Sequence, residues 1–378
     1  MINILYVSML LEKNNYGGSV VSRTNLKALK ANDSLNIKEV AILKSLEGKY
    51  TYELLSSRSK FETAINNMRG YAGRLNPQRM RKIKNIIHDF KPAIVYLDSS
   101  MLGGIAYWCK KKYPDIKIIT FFHNIELDFE CDRFRSGKFQ FLPSLYSSIL
   151  NERKAAKHSD VIVTLHKSDS ERLYKLYHRH ADYCIPVCVD EESGTEARLQ
   201  SITRNNKFRI AFFGTAFFAN IQAAQYISNK IAPHFLDNND VEFIIAGNGF
   251  DNYKTELESS NVSVTGYIED LGVFYNDIDL ILSPISAGAG MKVKIAEALK
   301  YNKKIIASEF SLIGYEQIKD CADVISCLNL NDYISAITDS LNALNNSCTT
   351  HELYKEYYSS TACINYFRKV IAHFDNQA

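Results

Sequence analysis

The chain alternates short apolar runs with stretches of helical periodicity, pauses once, and then resumes the same alternation. Ile2–Ser8, Val40–Leu43, Ala93–Leu97, Ile116–Phe122 and Val161–Thr164 read as buried strands, with amphipathic segments near 19–31, 78–90, 102–113 and 145–158 between them. Strands apolar on both faces and separated by helices belong to a parallel sheet covered on both sides. Residues 190–207 are polar and lack an apolar period, which marks a linker. Beyond it come strands Arg209–Phe213, Val241–Ala246, Val262–Thr265, Leu280–Ser283 and Lys304–Ala307, with helices near 218–236, 252–259, 270–276 and 290–301. A chain of 378 residues also exceeds what one hydrophobic core usually supports. The expectation is an α/β protein of two parallel-sheet domains facing across a cleft. The first spans 1–190, a linker 191–207, the second 208–350, and a last helical segment, 351–378, is expected to cross back to the N-terminal domain.

Composition narrows the setting. No run of about 18 uncharged apolar residues occurs, which argues against a membrane-spanning helix. The start, MINILYVSML, has no basic lead or small-residue cleavage site and reads as a first strand, not a signal peptide. The eight cysteines form no C-x-x-C, as expected of reduced thiols in a cytoplasmic protein. The net charge of +3 conceals an asymmetry: residues 1–190 carry 30 Lys and Arg against 19 Asp and Glu, the remainder 15 against 23. Much of the excess falls between Arg58 and Lys91, including Arg79 to Lys84. That is either a solvated helix face or a surface for anionic lipid or an anionic acceptor. Nucleic acid is not expected, since the basic run lacks interleaved aromatics and any recognised binding module.

The chemistry concentrates in Ser283–Ser308. A strand ends at Ser283–Pro284, and the loop Ser286-Ala287-Gly288-Ala289-Gly290 leads into a helix. Glycines let a backbone approach a ligand closely, and the free amides of a helix start favour an anion such as phosphate. Lys292 and Lys294, expected in the first helical turn, oppose the helix dipole unless an anion compensates them. Glu297, two turns further on, can accept hydrogen bonds from the hydroxyls of a ribose. The loop has neither the GxxxxGK[ST] of a P-loop nor the GxGxxG of a dinucleotide fold. Gly214-Thr215 ends the first strand of the second half, at the carboxyl edge where open α/β sheets bind ligands. Asn220 is read as a helix cap or a ligand contact. Gly17-Gly18, after the first strand, is either a plain turn or an acceptor or donor loop.

Taken together, GAGMKVKIAEAL (Gly288 to Leu299), FFGTAFFANIQAAQYI (Phe212 to Ile227), FIIAGNG (Phe243 to Gly249) and VTGYIEDLGVFYNDIDLILSP (Val264 to Pro284) resemble the C-terminal half of GT-B glycosyltransferases. The likeness is to the retaining group called family 4 in particular. GGS (Gly17 to Ser19), FFHNIE (Phe121 to Glu126) and SDVIVTLHKSD (Ser159 to Asp169) extend the resemblance over most of the chain, in the right order. It implies two Rossmann-like domains. Gly214, Thr215, Gly290, Met291, Lys292 and Lys294 would lie at the donor diphosphate, Glu297 at the ribose, and Tyr267 and Ile268 at the nucleobase. His123, after TFF, would stand beside the donor sugar as hydrogen-bond donor or base, with Glu126 the second catalytic candidate. Asp128, close by, is read as an acceptor contact or a helix-start carboxylate. Many members carry two glutamates eight positions apart. Here the second is Glu297, and position 289 is Ala, as in a branch with a G-x-G-M-K loop.

The reaction so implied moves a sugar from a nucleotide-sugar to an acceptor hydroxyl on a glycan or lipid-linked acceptor, in bacterial surface polysaccharide or glycan assembly. No cofactor and no metal are expected: the nucleotide-sugar is a substrate, and Asp277-Ile278-Asp279 has DxD spacing at a position leading into a strand. The expected location is the cytoplasm, peripheral at the inner face of the membrane. Two rivals share the fold: a nucleotide-sugar epimerase, which has no acceptor, and a non-catalytic partner subunit, for which Ala289 is the argument.

Overall fold

The protein is described here by a computed structural model, in which residues 1–12, 17–57, 59–135, 139–191, 207–342 and 348–375 are placed. The chain divides into two compact units, one of 1–186 with 363–378 and one of 187–362. Most of the expected linker, 192–206, lies outside the described residues.

The first unit is built on seven strands: β1 (Ile2–Ser8), β2 (Leu35–Leu43), β3 (Tyr52–Leu55), β4 (Ile94–Leu97), β5 (Lys117–Phe122), β6 (Val161–Thr164) and β7 (Tyr183–Cys184). All pair in parallel, in the order β3-β2-β1-β4-β5-β6-β7, with Ile4 opposite Ile37 on one side and Ile94 on the other. Ile4 to Val7 and Ile94 to Leu97 are buried, because helices cover both faces of the central strands. Those helices are α1 (Gly17–Lys30), α2 (Lys60–Met68), α3 (Pro77–Phe90), α4 (Gly103–Lys112), α5 (Glu126–Arg135), α6 (Leu142–His158) and α7 (Lys167–Tyr177). Helix α3 shows how locally its limits are set. The Asn76 side chain accepts the Arg79 amide, Pro77 supplies a preset φ, and Lys91 ends the helix in the left-handed region before Pro92.

The second unit holds six parallel strands: β8 (Phe208–Phe213), β9 (Val241–Ala246), β10 (Val262–Thr265), β11 (Leu280–Ser283), β12 (Lys304–Ser308) and β13 (Val324–Cys327). Their order is β10-β9-β8-β11-β12-β13, so this sheet, like the first, reverses direction beside its first strand. Such reversals open a crevice at the carboxyl edge, between β1 and β4 in one unit and between β8 and β11 in the other.

Several helices differ from expectation. The segment expected to be helical over 218–236 is α-helical only over Phe218–Tyr226, then passes through a π turn (Ile227–Ile231) and a 3-10 turn (Ala232–Phe235). Pro233 removes a backbone donor there. The helix expected over 290–301 begins only at Val293. Gly288 and Gly290 adopt φ of 100° and 66° and hold the chain in a turn, so Lys292 stands at the cap position and not in the first turn. The last helix runs Ser360–Asp375, and from Cys363 onward it belongs to the first unit. There Phe367 packs against Tyr96 and the Cys363 thiol meets Asn25 Oδ1 at 3.6 Å.

Candidate functional site

In the second unit, the reversal between β8 and β11 gathers residues that are far apart in sequence. β8 ends at Phe213, and Gly214 follows with its amide on the Ala246 carbonyl at 3.0 Å. A side chain at Gly214 would meet Asn220 Nδ2 at 2.7 Å and Lys294 Nζ at 3.0 Å. The glycine is therefore what admits both groups. Gly247 closes the other side: its φ is 132°, and a Cβ there would fall 1.9 Å from the Gly214 carbonyl oxygen. Asn220 lies inside its helix, which starts after Phe217, so it is not a cap. Its Nδ2 donates to the Thr215 carbonyl at 2.7 Å, and its Oδ1 accepts from Lys294 Nζ at 3.2 Å.

Lys294 is the notable charge of this site. It is 8% exposed, with Nζ 3.8 Å from the centroid of the Phe212 ring, and Asn220 is its sole described hydrogen-bond partner. Burial, and then the neighbouring Lys292, hold its pKa well below the usual lysine range, while Glu297 pulls the other way. Lys292 is disposed differently. Its ammonium donates to the carbonyls of Ala289 (3.1 Å) and Gly290 (2.7 Å) and stands over the Phe310 ring, while Tyr315 Oη donates to its carbonyl. Lys292 thus shapes the loop. Met291 is buried, its Sδ accepting the Val187 amide at 3.4 Å. Glu297 Oε2 accepts from Tyr275 Oη at 3.3 Å, and Tyr275 is stacked on Tyr301. Tyr267 stands 64% exposed after β10, with Ile268 half-buried beside it.

The first unit holds a second polar group at its own reversal. His123, 7% exposed after β5, places Nε2 3.1 Å from Asp98 Oδ1 and 3.5 Å from Ser22 Oγ. Asp98 follows β4 and is fully buried, and its Oδ2 accepts from Ser8 Oγ at 2.6 Å. With Nε2 turned to this carboxylate, His123 Nδ1 is buried without a partner. Glu126 is also buried, not open to solvent. Desolvation first, and then Glu152 and Glu130, push its carboxyl up to about 8. Glu152 is pushed up to about 7, by burial above all, although its Oε2 accepts the Glu126 amide at 2.6 Å and its Oε1 the Tyr177 hydroxyl at 2.7 Å. Asp128 is engaged by Arg172 in two hydrogen bonds of 2.7 Å. Helix α1 begins at Gly17 itself, and a Cβ on Gly18 would make only ordinary contact with Leu10 at 3.5 Å, so steric need does not explain that glycine.

Asp98 and Gly247 were not singled out by sequence, and Asn220 was read as a helix cap or a ligand contact. Asp98 had one signal, a carboxylate directly after the apolar run IVYL at a strand end. Asp277 and Asp279 are turned to Arg209, through an ion pair and through the Arg209 amide at 2.9 Å. Among the described residues no group of three or more His, Cys, Asp or Glu is placed to hold a metal ion.

Comparison with known proteins agrees with this architecture. Residues 207–344 match the family described as Glycosyl transferases group 1. No curated protein sequence matches the chain. Among solved structures, HepE (Alr3699) of Anabaena in complex with UDP superposes with a TM-score of 0.69 at 11% identity, covering 98% of this chain and 100% of that one. A glycosyltransferase from Rickettsia africae reaches 0.67 at 13% identity, over 98% and 97%. A Listeria monocytogenes protein described as a UDP-N-acetylglucosamine 2-epimerase reaches 0.55 at 12% identity, over 99% and 97%. At such identities the structural likeness speaks for the fold, and the family match speaks for the second unit. The chain has the GT-B fold, and the likeness to the glycosyl transferases of group 1 is carried by residues 207–344 of its second unit.

Proposed function

We propose that the protein transfers a sugar from a nucleotide-sugar to an acceptor hydroxyl with retention of configuration, and that the donor diphosphate lies at Gly214, Lys294 and the Gly288–Met291 loop. The carrying observation is Lys294: a buried ammonium whose described partners are one amide oxygen and one ring. A buried cation without a hydrogen-bonded carboxylate is costly, and an anion at the Gly214 turn would offset that cost. Charge on the departing diphosphate is the main electrostatic demand of glycosyl transfer, and a preorganised ammonium with nearby amides meets it. Thr215 and Gly290 would add backbone amides. Glu297 would take the ribose hydroxyls, and Tyr267 and Ile268 the base. Of the two lysines read from sequence, Lys292 acts on the loop and Lys294 on the ligand.

Retention is supported by the acids. A carboxyl held up to about 8 is mostly protonated near neutral pH, so Glu126 is poorly suited to deprotonate an acceptor. In a retaining reaction the leaving phosphate can take that proton. His123, its Nε2 fixed by Asp98, would present Nδ1 to the donor sugar. The acceptor we infer is a glycan or lipid-linked glycan of the bacterial surface, reached from the cytoplasmic side. Gly17-Gly18 would lie near donor or acceptor.

A thermal-shift panel of nucleoside diphosphates and nucleotide-sugars tests the reading, since a ligand of the native state raises its melting temperature. A selective rise with one nucleotide is expected. No rise with any of them would overturn the donor site. Epimerisation of the free nucleotide-sugar without acceptor would replace transfer by epimerase chemistry, the activity described for the Listeria protein of similar fold.

A further inference from the structure

Helices α3, α4 and α6 lie on one face of the first unit's sheet, because each belongs to a right-handed crossover that steps in the same direction from β3 towards β6. Together they carry ten Lys and Arg and two acidic residues. Some of that charge is spent internally. Arg79, central to the basic run, is buried and donates to the carbonyls of Leu55 and Arg74. Lys110 pairs with Asp160 at 2.7 Å and donates to the Ile116 carbonyl at 2.8 Å.

The remainder is arranged on aromatic rings. Lys84 stands over Trp108 at 5.1 Å, and Lys111 and Lys154 over Tyr107 at 4.7 and 5.8 Å. Tyr113 meets Trp108 edge-on at 5.7 Å, and His158 meets Tyr107 at 5.2 Å. Among the described residues, Lys84, Lys111, Lys154 and Lys157 have no carboxylate partner. Burial first, and then Lys157, Lys111 and Lys154, push the His158 imidazole down, as an uncompensated positive field requires.

The location excludes a substrate role. Helices α3, α4 and α6 end at Phe90, Lys112 and His158, each a few residues before the next strand starts at Ile94, Lys117 or Val161. Lys111, Lys154, Lys157 and His158 therefore lie towards the amino edge of the sheet, opposite the carboxyl edge that carries Asp98 and His123. The rings also carry ammonium groups on their faces, which leaves poor platforms for the base stacking that single-stranded nucleic acid needs. Lysines and interfacial Trp and Tyr side chains, by contrast, are the groups that meet phospholipid headgroups.

We propose that this face docks on an anionic lipid bilayer through Lys84, Lys111, Lys154 and Lys157 around Tyr107 and Trp108. The inference does not depend on the donor chemistry. It points the first unit's carboxyl edge away from the lipid, so the reactive end of a membrane-held acceptor must extend into the aqueous phase.

Trp108 is the chain's single tryptophan and so reports on the patch directly. The full-length protein should pellet with phosphatidylglycerol-containing vesicles and not with phosphatidylcholine alone, its tryptophan emission moving to shorter wavelength, and high salt should release it. The triple variant Lys111→Glu, Lys154→Glu, Lys157→Glu should bind at least about a hundredfold more weakly. Lys60→Glu, Lys167→Glu, Lys175→Glu, the same charge change on other exposed lysines, should bind as the wild type does. Both triples should keep the wild-type melting temperature and any nucleotide-induced shift. Three results would overturn the proposal: no binding to anionic vesicles, equal loss in the two triples, or displacement from vesicles by poly-uridine that binds tighter at the same salt.

Discussion

At the scale of single residues, Lys294 separates two physical roles that look alike in a static picture. Were it there to stabilise the fold, removing its charge would loosen the second unit. If it awaits an anion, its burial is a cost in the free protein, and Lys294→Met should relieve it. We expect Lys294→Met to raise the melting temperature of the ligand-free protein, stabilising it by on the order of 1 kcal/mol, because a desolvated charge is replaced by a thioether of similar length. The same variant should lose nucleotide affinity at least about tenfold, or about 1.4 kcal/mol, in titration calorimetry. A fall in both quantities would mark Lys294 as a structural residue and return the anion to Lys292. Gly214 and Lys294 were legible in the sequence as a glycine after a strand and a lysine after a glycine loop. Asn220, which bridges them, was ambiguous, because one Asn near a helix start reads equally as a cap. Gly247 was silent, since its need for φ of 132° arises only when β9 lies beside β8.

At the scale of elements, the buried strands were plain and the charged helices were not. β1, β6 and β11 begin and end where their apolar runs do, since a strand covered on both faces has no reason to alternate, and β9 and β10 keep the expected bounds although Glu242, Ser263 and Thr265 interrupt theirs. β3, β7 and β13 were missed: the first is four residues with Glu53 inside it at a sheet edge, the second only two residues long, and the third a four-residue strand at the edge of the other sheet. Helix α5 was missed because its inward face includes Glu126 and Glu130, carboxylates that no apolar period would predict. Their burial has a measurable consequence. Glu126 and Glu152 titrate near 8 and 7 in the fold and near 4.5 when unfolded, so the native state binds the extra protons. The stability they contribute is complete below the ordinary carboxylate range and is lost as pH rises through those values. Between about pH 5 and 8, unfolding free energy should fall by on the order of 1–3 kcal/mol. Glu126→Gln, neutral at every pH, should flatten that decline in denaturant titrations; an unaltered slope would show that the pair ionises without cost.

At the scale of the whole molecule, alternation of strand and helix announced two parallel sheets, but the two units divide between Pro186 and Val187, ahead of the polar stretch expected to separate them. The return of the last segment, expected from sequence, makes the first unit discontinuous; what pattern could not convey was which contacts hold it there. Residues 363–375 supply Cys363 at Asn25, Phe367 at Tyr96 and His373 at Tyr183, contacts no periodicity encodes. Ending the chain after Ala362 should therefore weaken the first unit selectively. Hydrogen exchange should quicken in Gly17–Lys30 and Ile94–Leu97 while Phe208–Phe213 and Leu280–Ser283 keep their protection, and uniform protection throughout would show the helix to be a passive cover. The same discontinuity sets an order of events during synthesis. The second unit is contiguous from residue 187 to 362 and needs no segment from outside that span. The first, though translated first, must wait with Tyr96 and Asn25 uncovered until the last helix emerges. For most of translation, then, the nascent protein is held open at its beginning by what its end has yet to deliver.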